Sequence, residues 1–221
     1  MVYTITFSPA LDYVLRLKQL SGEDIHRADS AAIFCGGKGI NVSMVLSQLE
    51  IKTKALGFIA GFTGRELEHR LQADGIQTDF VHLQTGVTRI NVKIFAETQM
   101  DINAPGAVPD ADALNRLFHK LEQLQSGDFL VLAGAVPGGI PENIYEKVLE
   151  QIQGKGIRTV VDTTGNYLLS VLKYKPFLIK PNHHELAEIF HADIGADDEK
   201  KIVQVPVSYT HLRAHETPEH L

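Results

Sequence analysis

The sequence predicts an α/β fold in which a mostly parallel central sheet, flanked by helices, carries a small β lid. Two observations predict the parallel sheet. Strand and helix patterns alternate along the chain, and strands such as 129–132 are continuously apolar, as strands covered on both faces must be. A third observation predicts the lid, because polar and apolar side chains alternate strictly from Arg89 to Ile94 within the segment 88–95, which is typical of a half-exposed strand.

Composition narrows the class of protein. The 221 residues include 21 basic and 27 acidic side chains, and the resulting formal charge of −6 argues against a general nucleic-acid-binding surface. The single cysteine, Cys35, excludes an internal disulfide and fits a reducing compartment. The N-terminus shows neither a basic segment followed by an apolar run nor a membrane span, so we expect a cytoplasmic protein without membrane partners.

The elements can be assigned in order from the N-terminus. A β-branched and aromatic run predicts a first strand over 2–7, and short strands are expected over 13–17 and 31–34. A first helix is expected after the second of these short strands. The remaining central elements are predicted as strands over 54–59, 128–133, 157–162 and 177–180, and as helices over 64–73, 111–124, 142–153 and 167–173.

A glycine-rich turn precedes the first helix. Gly36, Gly37 and Gly39 surround Lys38, and glycines let the backbone bend and approach a ligand closely. The amide groups and the positive dipole end of the helix would face the same space. The apolar face of that helix is predicted to consist of Val42, Val45, Leu46 and Leu49. The glycines alone fit a tight turn without a ligand equally well, and the lysine favours an anionic or hydroxyl-rich ligand.

The alternating segment predicts the polar face of the lid. Arg89, Asn91 and Lys93 share one face of this strand. The other face consists of Ile90, Val92 and Ile94. A strand of this kind fits a small second sheet with the strands near 13–17 and 31–34. Two cations and an amide on one face would form a phosphate clamp, and the alternative is a solvated basic edge.

Polar residues follow several predicted strands. Open α/β sheets bind ligands beyond the carboxyl ends of their strands. The polar or glycine positions expected there are Asp12, Gly134, Asp162 and Lys180. Asn182 and Glu185 also have the spacing of a capping box, so a purely structural role for this pair remains equally open.

Seven motifs in order resemble the ribokinase-like (PfkB) family of carbohydrate kinases. The resemblance extends from Met1 to about Gln204 and is greatest to the branch containing 1-phosphofructokinase and tagatose-6-phosphate kinase. The matching motifs are Ser8-Pro9-Ala10-Leu11-Asp12, Gly36-Gly37-Lys38-Gly39-Ile40-Asn41-Val42, Thr88-Arg89-Ile90-Asn91-Val92-Lys93-Ile94, Asn103-Ala104-Pro105-Gly106, Ala133-Gly134-Ala135-Val136-Pro137, Asp162-Thr163-Thr164-Gly165 and Lys180-Pro181-Asn182-His183-His184-Glu185-Leu186.

The resemblance implies transfer of the ATP γ-phosphate to fructose 1-phosphate, giving fructose 1,6-bisphosphate, with Mg²⁺ as cofactor. The implied contacts to sugar hydroxyls are those of Asp12, Gly37 and Asn41. The implied contacts to the substrate's phosphate are those of Lys38, Arg89, Lys93 and Arg27, with Asn91 beside them. The implied contacts to ATP and to magnesium-bound water are those of Lys180, Asn182 and Glu185, the last acting on the metal through water.

The resemblance ends before the last part of the family pattern. The family's second signature, Gly-Ala-Gly-Asp, supplies anion-binding amides and the catalytic base, and this sequence lacks it. We therefore expect a ribokinase-like domain over 1–205 that is incomplete at its C-terminus, a non-native tail over 206–221, and no turnover. The alternatives are a tagatose-6-phosphate kinase and a non-catalytic sugar-phosphate-binding protein. An exposed lid edge could also support a homodimer.

Overall fold

The computed structural model describes residues 1–20, 25–163, 166–181 and 187, and these residues form two β-sheets and five α-helices. In chain order the elements are β1 (Val2–Thr6), β2 (Ala10–Arg16), β3 (Ser30–Gly36), α1 (Lys38–Gln48), β4 (Thr53–Ala60), α2 (Gly61–Ala73), β5 (Gln77–Thr78), β6 (Val81–Leu83), β7 (Arg89–Phe95), β8 (Gln99–Asn103), α3 (Ala111–Leu121), β9 (Phe129–Ala133), α4 (Ile144–Ile152), β10 (Arg158–Asp162), α5 (Asn166–Val171) and β11 (Leu178–Ile179).

The larger sheet confirms the predicted parallel layer. Its strand order is β11-β10-β9-β1-β4-β5, β6 pairs with β4, and all of these pairs are parallel. The five predicted central strands agree with the observed bounds to within a residue at each end. Because β1 lies between β4 and β9, the carboxyl ends of these strands open onto one edge of the sheet.

Helix α1 lies unusually close to the central strand. A Cβ atom on Gly39 would lie 2.5 Å from Thr6 Oγ1, so only glycine fits at this position. The Thr6 hydroxyl accepts a hydrogen bond of 3.1 Å from the Ile40 amide, which caps the helix from another element. One turn later, Thr4 Oγ1 and Ser43 Oγ form a buried hydrogen bond of 2.8 Å. These contacts fix both the position and the rotation of α1.

The predicted apolar face of α1 is wrong. The buried residues of the helix are Gly39, Ile40 and Ser43, whereas Val45 is 55% exposed and Leu49 is 63% exposed. The physical reason is the close contact with β1, which admits small and hydroxyl-bearing side chains and thereby turns the larger apolar ones outward. Spacing of apolar residues cannot reveal a helix face that is buried through hydrogen bonds.

Two hydrophobic cores lie on the two faces of the central sheet. The first packs α3, α4 and α5 against sheet residues such as Ile5 and Leu132. The second surrounds the fully buried Ile40 and Leu67 of α1 and α2, and it includes Leu11 and Cys35 from β2 and β3. The second core therefore anchors the smaller sheet to the larger one.

The smaller sheet confirms the predicted lid and adds a strand to it. Its order is β3-β2-β7-β8, in which β2 and β7 are parallel and the outer pairs are antiparallel. Strand β8 was not predicted, because the connection from β7 contains none of the glycine or asparagine residues that mark short hairpin turns. Instead, the Ala96 amide donates to the Thr98 carbonyl at 3.2 Å.

Part of the predicted organisation lies outside the described residues. The expected tail over 206–221 belongs to this part, so the boundary near residue 205 stays a prediction. Among the helices that the structure describes, none is both long and apolar enough to cross a membrane.

The contact between α1 and β1 can be tested by comparing two alanine substitutions on the same helix. We expect Ile40→Ala to lower the free energy of unfolding by about 2–5 kcal/mol, because it empties a fully buried site. Leu49→Ala should change it by less than about 0.5 kcal/mol, because that side chain is exposed. Urea unfolding followed by circular dichroism gives both values, and equal losses would contradict the observed helix face.

Candidate active site

Two strands of the lid hold the carboxylate of Asp12. Asp12 on β2 is paired in register with Asn91 on β7, and the Asn91 Nδ2 atom donates to Asp12 Oδ1 at 2.8 Å. Lys93 Nζ lies 3.1 Å from the other carboxylate oxygen. A Cβ atom on Gly36 would lie 2.8 Å from Asp12 Oδ1, so the glycine leaves the space that the carboxylate occupies. The carboxylate is therefore fixed from three sides.

Two neighbouring side chains on the same strand keep polar atoms without partners. Arg89 Nε and Asn91 Oδ1 are both buried, and neither has a hydrogen-bond partner within the described part of the chain. They belong to residues two apart on one face of β7, whose Cα atoms are separated by about 7 Å. Buried polar atoms are seldom left unpaired in proteins, and these two are suited to a ligand with both an acceptor and a donor.

A second charged cluster lies at the carboxyl end of the central sheet. Lys38 Nζ, at the start of α1, lies 3.2 Å from Asp162 Oδ1, at the end of β10. Lys180, just after β11, places its Nζ 3.7 Å from the same oxygen. Both lysine side chains are more exposed than the carboxylate between them. Two cations that share one carboxylate leave positive charge available to an anion.

The turn after β9 forms the wall beside this cluster. Gly134 has a φ of 105°, in the left-handed region that favours glycine, and its amide donates to the Asp162 carbonyl at 2.9 Å. The Tyr145 hydroxyl donates to the Gly134 carbonyl at 2.6 Å. Burial raises the pKa of Tyr145, which keeps the phenol protonated as a donor. The turn is thus held by a buried side chain of α4.

The glycine-rich turn joins the two clusters into one site. Gly36 contacts the Asp12 carboxylate and Lys38 contacts Asp162, and two residues along the chain separate their Cα atoms by at most about 7 Å. Gly37 between them has a φ of 122° and is the N-cap of α1. The Asp12 carboxylate and the Lys38–Asp162 ion pair are therefore connected by one short span of backbone.

Of the other predicted site residues, two are exposed and two lie outside the described residues. Asn41 is exposed on the first turn of α1, next to the glycine-rich turn. Arg27 is exposed in the connection between β2 and β3. Asn182 and Glu185 lie outside the described residues, so their predicted contacts to ATP and magnesium stay predictions.

Three supporting residues were missed by sequence reasoning, each for a physical reason. Gly36 was read only as part of the flexible turn, although it makes room for Asp12. Thr6 and Tyr145 act through a hydroxyl group buried among apolar neighbours, and nothing in their sequence surroundings marks them. Asp162 could be found from its position after a predicted strand, but its two lysine partners could not.

The described residues fit a phosphate group better than a metal ion. Lys38 and Lys180 offer two cations at the strand ends. Within the described ranges, no group of three or more His, Cys, Asp or Glu side chains comes together as a metal site.

Cys35, next to Gly36 on β3, lies on the face of the lid that packs against α1 and α2. It is buried in the core shared by α1 and α2, with its Sγ atom 3.8 Å from the Leu67 carbonyl oxygen. Burial raises the pKa of the thiol to about 11. Cys35 is therefore a small buried thiol.

Comparison with known proteins identifies relatives with this architecture. A family model described as "pfkB family carbohydrate kinase" matches residues 5–209. A 1-phosphofructokinase of Bacillus subtilis is 37% identical over 209 residues, which cover 92% of this chain and 69% of the relative. A D-tagatose-1-phosphate kinase of Bacillus licheniformis is 33% identical, covering 91% of this chain and 66% of the relative.

A solved structure agrees in fold over nearly the whole chain. Phosphofructokinase-2 from Escherichia coli, crystallised in complex with fructose-6-phosphate, superimposes with a TM-score of 0.86 at 28% identity. The match covers 95% of this chain and 70% of that structure. The chain thus spans about two thirds of the length of these relatives.

The raised pKa of Cys35 predicts a slow thiol. With a pKa of about 11, about one thousandth of the thiol is ionised at pH 8, and only the thiolate reacts. We expect the native chain to react with iodoacetamide at least a hundredfold more slowly than the urea-unfolded chain at pH 8. The native rate should also still rise between pH 9 and pH 10, whereas the unfolded rate levels off. Equal rates would contradict the burial of Cys35, and the single cysteine makes the labelling unambiguous.

Proposed function

The chain belongs to the pfkB family of carbohydrate kinases, and on that premise we propose that it binds a ketohexose 1-phosphate as the acceptor of an ATP-dependent phosphotransferase. Fructose 1-phosphate is the expected substrate and fructose 1,6-bisphosphate the expected product. One observation carries this proposal. The glycine-rich turn connects the Asp12 carboxylate, which is held by Asn91, to the ion pair of Lys38 and Asp162. A hydroxyl-rich anion fits such a site.

Tagatose 1-phosphate is the alternative acceptor. The sequence motifs gave tagatose-6-phosphate kinase as the alternative. Because one relative is named D-tagatose-1-phosphate kinase, we take tagatose 1-phosphate, and not tagatose 6-phosphate, as the alternative substrate. Fructose 1-phosphate and tagatose 1-phosphate differ in the orientation of one hydroxyl group. The choice between them therefore depends on which hydrogen-bonding groups meet that hydroxyl.

Each cluster would serve one of the two reactants. Asp12 would accept hydrogen bonds from sugar hydroxyls, and the Arg89 guanidinium would donate to the substrate's phosphate. Lys180 would turn from Asp162 to the phosphate oxygens of ATP, which supplies the transferred group. Lys38, which the sequence assigned to the substrate's phosphate, shares Asp162 with Lys180 and would contact the phosphate oxygens of ATP instead. Closure of the lid over the sugar would exclude water and favour transfer over hydrolysis.

Binding is the activity to test in the 221-residue chain. These 221 residues contain no Gly-Ala-Gly-Asp segment to supply the catalytic base, so we expect them to bind substrate without turnover. The predicted cytoplasmic location belongs to the same proposal, because phosphorylated sugars and ATP occur together there.

Calorimetric titration with fructose 1-phosphate tests the proposal directly. We expect saturable binding by the wild-type chain and a loss of about 10- to 100-fold in affinity for Arg89→Met, because a charge-assisted hydrogen bond is lost. Arg65→Met removes the same charge from an exposed position on α2 and should leave binding unchanged. Failure of the wild-type chain to bind any ketohexose 1-phosphate at millimolar concentration would refute the proposal.

We further propose that the lid forms a homodimer through its apolar face. Several large apolar side chains of the lid are exposed, among them Ile33, Ile90, Met100 and Ile102. On β8, Met100 and Ile102 share the face opposite to that of Gln99. An exposed apolar sheet face of this kind is typical of a protein interface.

Sedimentation velocity tests the dimer with two lysine substitutions on one strand. Ile102→Lys places a charge on the apolar face and should weaken self-association at least tenfold. Gln99→Lys adds a charge to the opposite face and should leave self-association unchanged. A monomeric wild-type chain at high micromolar concentration would contradict the proposal.

A further inference from the structure

Thr88, the residue immediately before strand β7, is bonded to the end of strand β4 through both its backbone and its side chain. Its amide donates to the Ala60 carbonyl at 2.9 Å, and its hydroxyl accepts a hydrogen bond of 2.9 Å from the Ala60 amide. Its carbonyl accepts a hydrogen bond of 2.7 Å from the Thr63 hydroxyl, in the first turn of α2. Both threonines are buried. Thr88 is therefore fixed to the larger sheet and to α2, although it leads directly into the lid.

Gly64 and the returning chain of the lid complete this attachment. A Cβ atom on Gly64 would lie 2.9 Å from Thr88 Oγ1, so the missing side chain of this glycine makes room for the hydroxyl. The connection that follows β8 returns to the same place, where the Ala107 amide donates to the Val87 carbonyl at 2.9 Å. Both ends of the β7–β8 hairpin are therefore tied together where the lid leaves the larger sheet.

Arg89, the next residue along the chain, depends on this attachment for its position. Within the described ranges its Nε atom has no hydrogen-bond partner, whereas Lys93 on the same strand face is held by Asp12. The direction of the Arg89 side chain is consequently set by its backbone. That backbone is fixed on one side by Thr88 and is paired in register with Ala10 of β2.

We propose that Thr88 is a positioning residue for phosphate binding, which acts through Arg89 by fixing the start of β7 to the end of β4. This inference rests on the proposed function, in which the Arg89 guanidinium contacts the phosphate of the substrate. Without the Thr88 hydroxyl, the Ala60 amide would lose its partner, and a buried amide without a partner is costly, so the attachment would loosen. The substrate would then have to order the arginine on binding, which lowers affinity.

Calorimetric titration of fructose 1-phosphate into three threonine variants tests the inference. Thr88→Val keeps the shape of the side chain without its hydroxyl and should weaken binding about 5- to 10-fold. Thr88→Ser keeps the hydroxyl and should bind within about 2-fold of the wild-type chain. Thr78→Val is the matched control, because it removes a threonine hydroxyl that bonds to Gln72 and Glu68 on the edge strand β5, and it should leave the affinity unchanged.

A double-mutant cycle separates positioning from a general loss of stability. In Arg89→Met, the further change Thr88→Val should lower the affinity by less than about 2-fold, because the group that Thr88 positions is already absent. A loss in this background as large as the loss in the wild-type background would overturn the inference. Wild-type affinity in Thr88→Val, or a loss in Thr88→Ser equal to that in Thr88→Val, would overturn it as well.

A second variant keeps the inference testable in case Thr88→Val fails to fold. Thr63→Val removes the hydrogen bond to the Thr88 carbonyl from the side of α2 and leaves Thr88 itself intact. It should weaken binding about 5-fold in the wild-type background and should have no effect in Arg89→Met. Equal losses in the two backgrounds, or no loss in either, would contradict the inference.

The two proposals fail in different ways. If the wild-type chain binds no ketohexose 1-phosphate, the proposed function falls and the inference falls with it. If the wild-type chain binds the sugar phosphate and loss of the Thr88 hydroxyl leaves its affinity unchanged, only the inference falls.

Discussion

The close contact between helix α1 and strand β1 is the constraint on which the site depends. The absent side chain of Gly39 and the hydroxyl of Thr6 let the first turn of the helix rest directly on the central strand. Because β1 lies in the middle of the parallel sheet, this contact places the start of α1 at the edge where the strands end. Lys38 thereby reaches Asp162, and Gly36, two residues earlier, lies against Asp12. A bulkier residue at position 39 would separate these groups.

The charges of the site are paired before any ligand arrives. Lys93 is paired with Asp12, and Lys38 and Lys180 share Asp162. An anion that enters beside Asp162 would replace this carboxylate as the partner of Lys38 and Lys180, which limits the cost of removing bare cations from water. The unpaired atoms of Arg89 and Asn91 differ from these pairs because no group among the described residues satisfies them. Ion pairing thus keeps the cations in place before a ligand binds.

Features that depend on neighbouring residues were predicted correctly, whereas features that depend on residues far apart in the chain were missed. The central strands could be predicted because continuous burial on both faces requires apolar runs, and the lid strand β7 because one polar face requires alternation. The face of α1 could not be predicted, because Ser43 and Gly39 are buried through contacts with Thr4 and Thr6, 39 and 33 residues earlier in the chain. Strand β8 was missed because its hairpin is held by backbone hydrogen bonds without a distinctive turn residue.

The amino-acid sequence by itself determined the fold class, the order of most elements and the set of polar residues at the strand ends, because local patterns of burial and turn chemistry encode these features. Only the tertiary structure decided which of those residues are partners. Register between β2 and β7 brought Asn91 and Lys93 to Asp12, and the crossover to β10 brought Asp162 to Lys38. Such pairings join residues 79 and 124 positions apart, and they exist only once the two sheets and helix α1 have packed together.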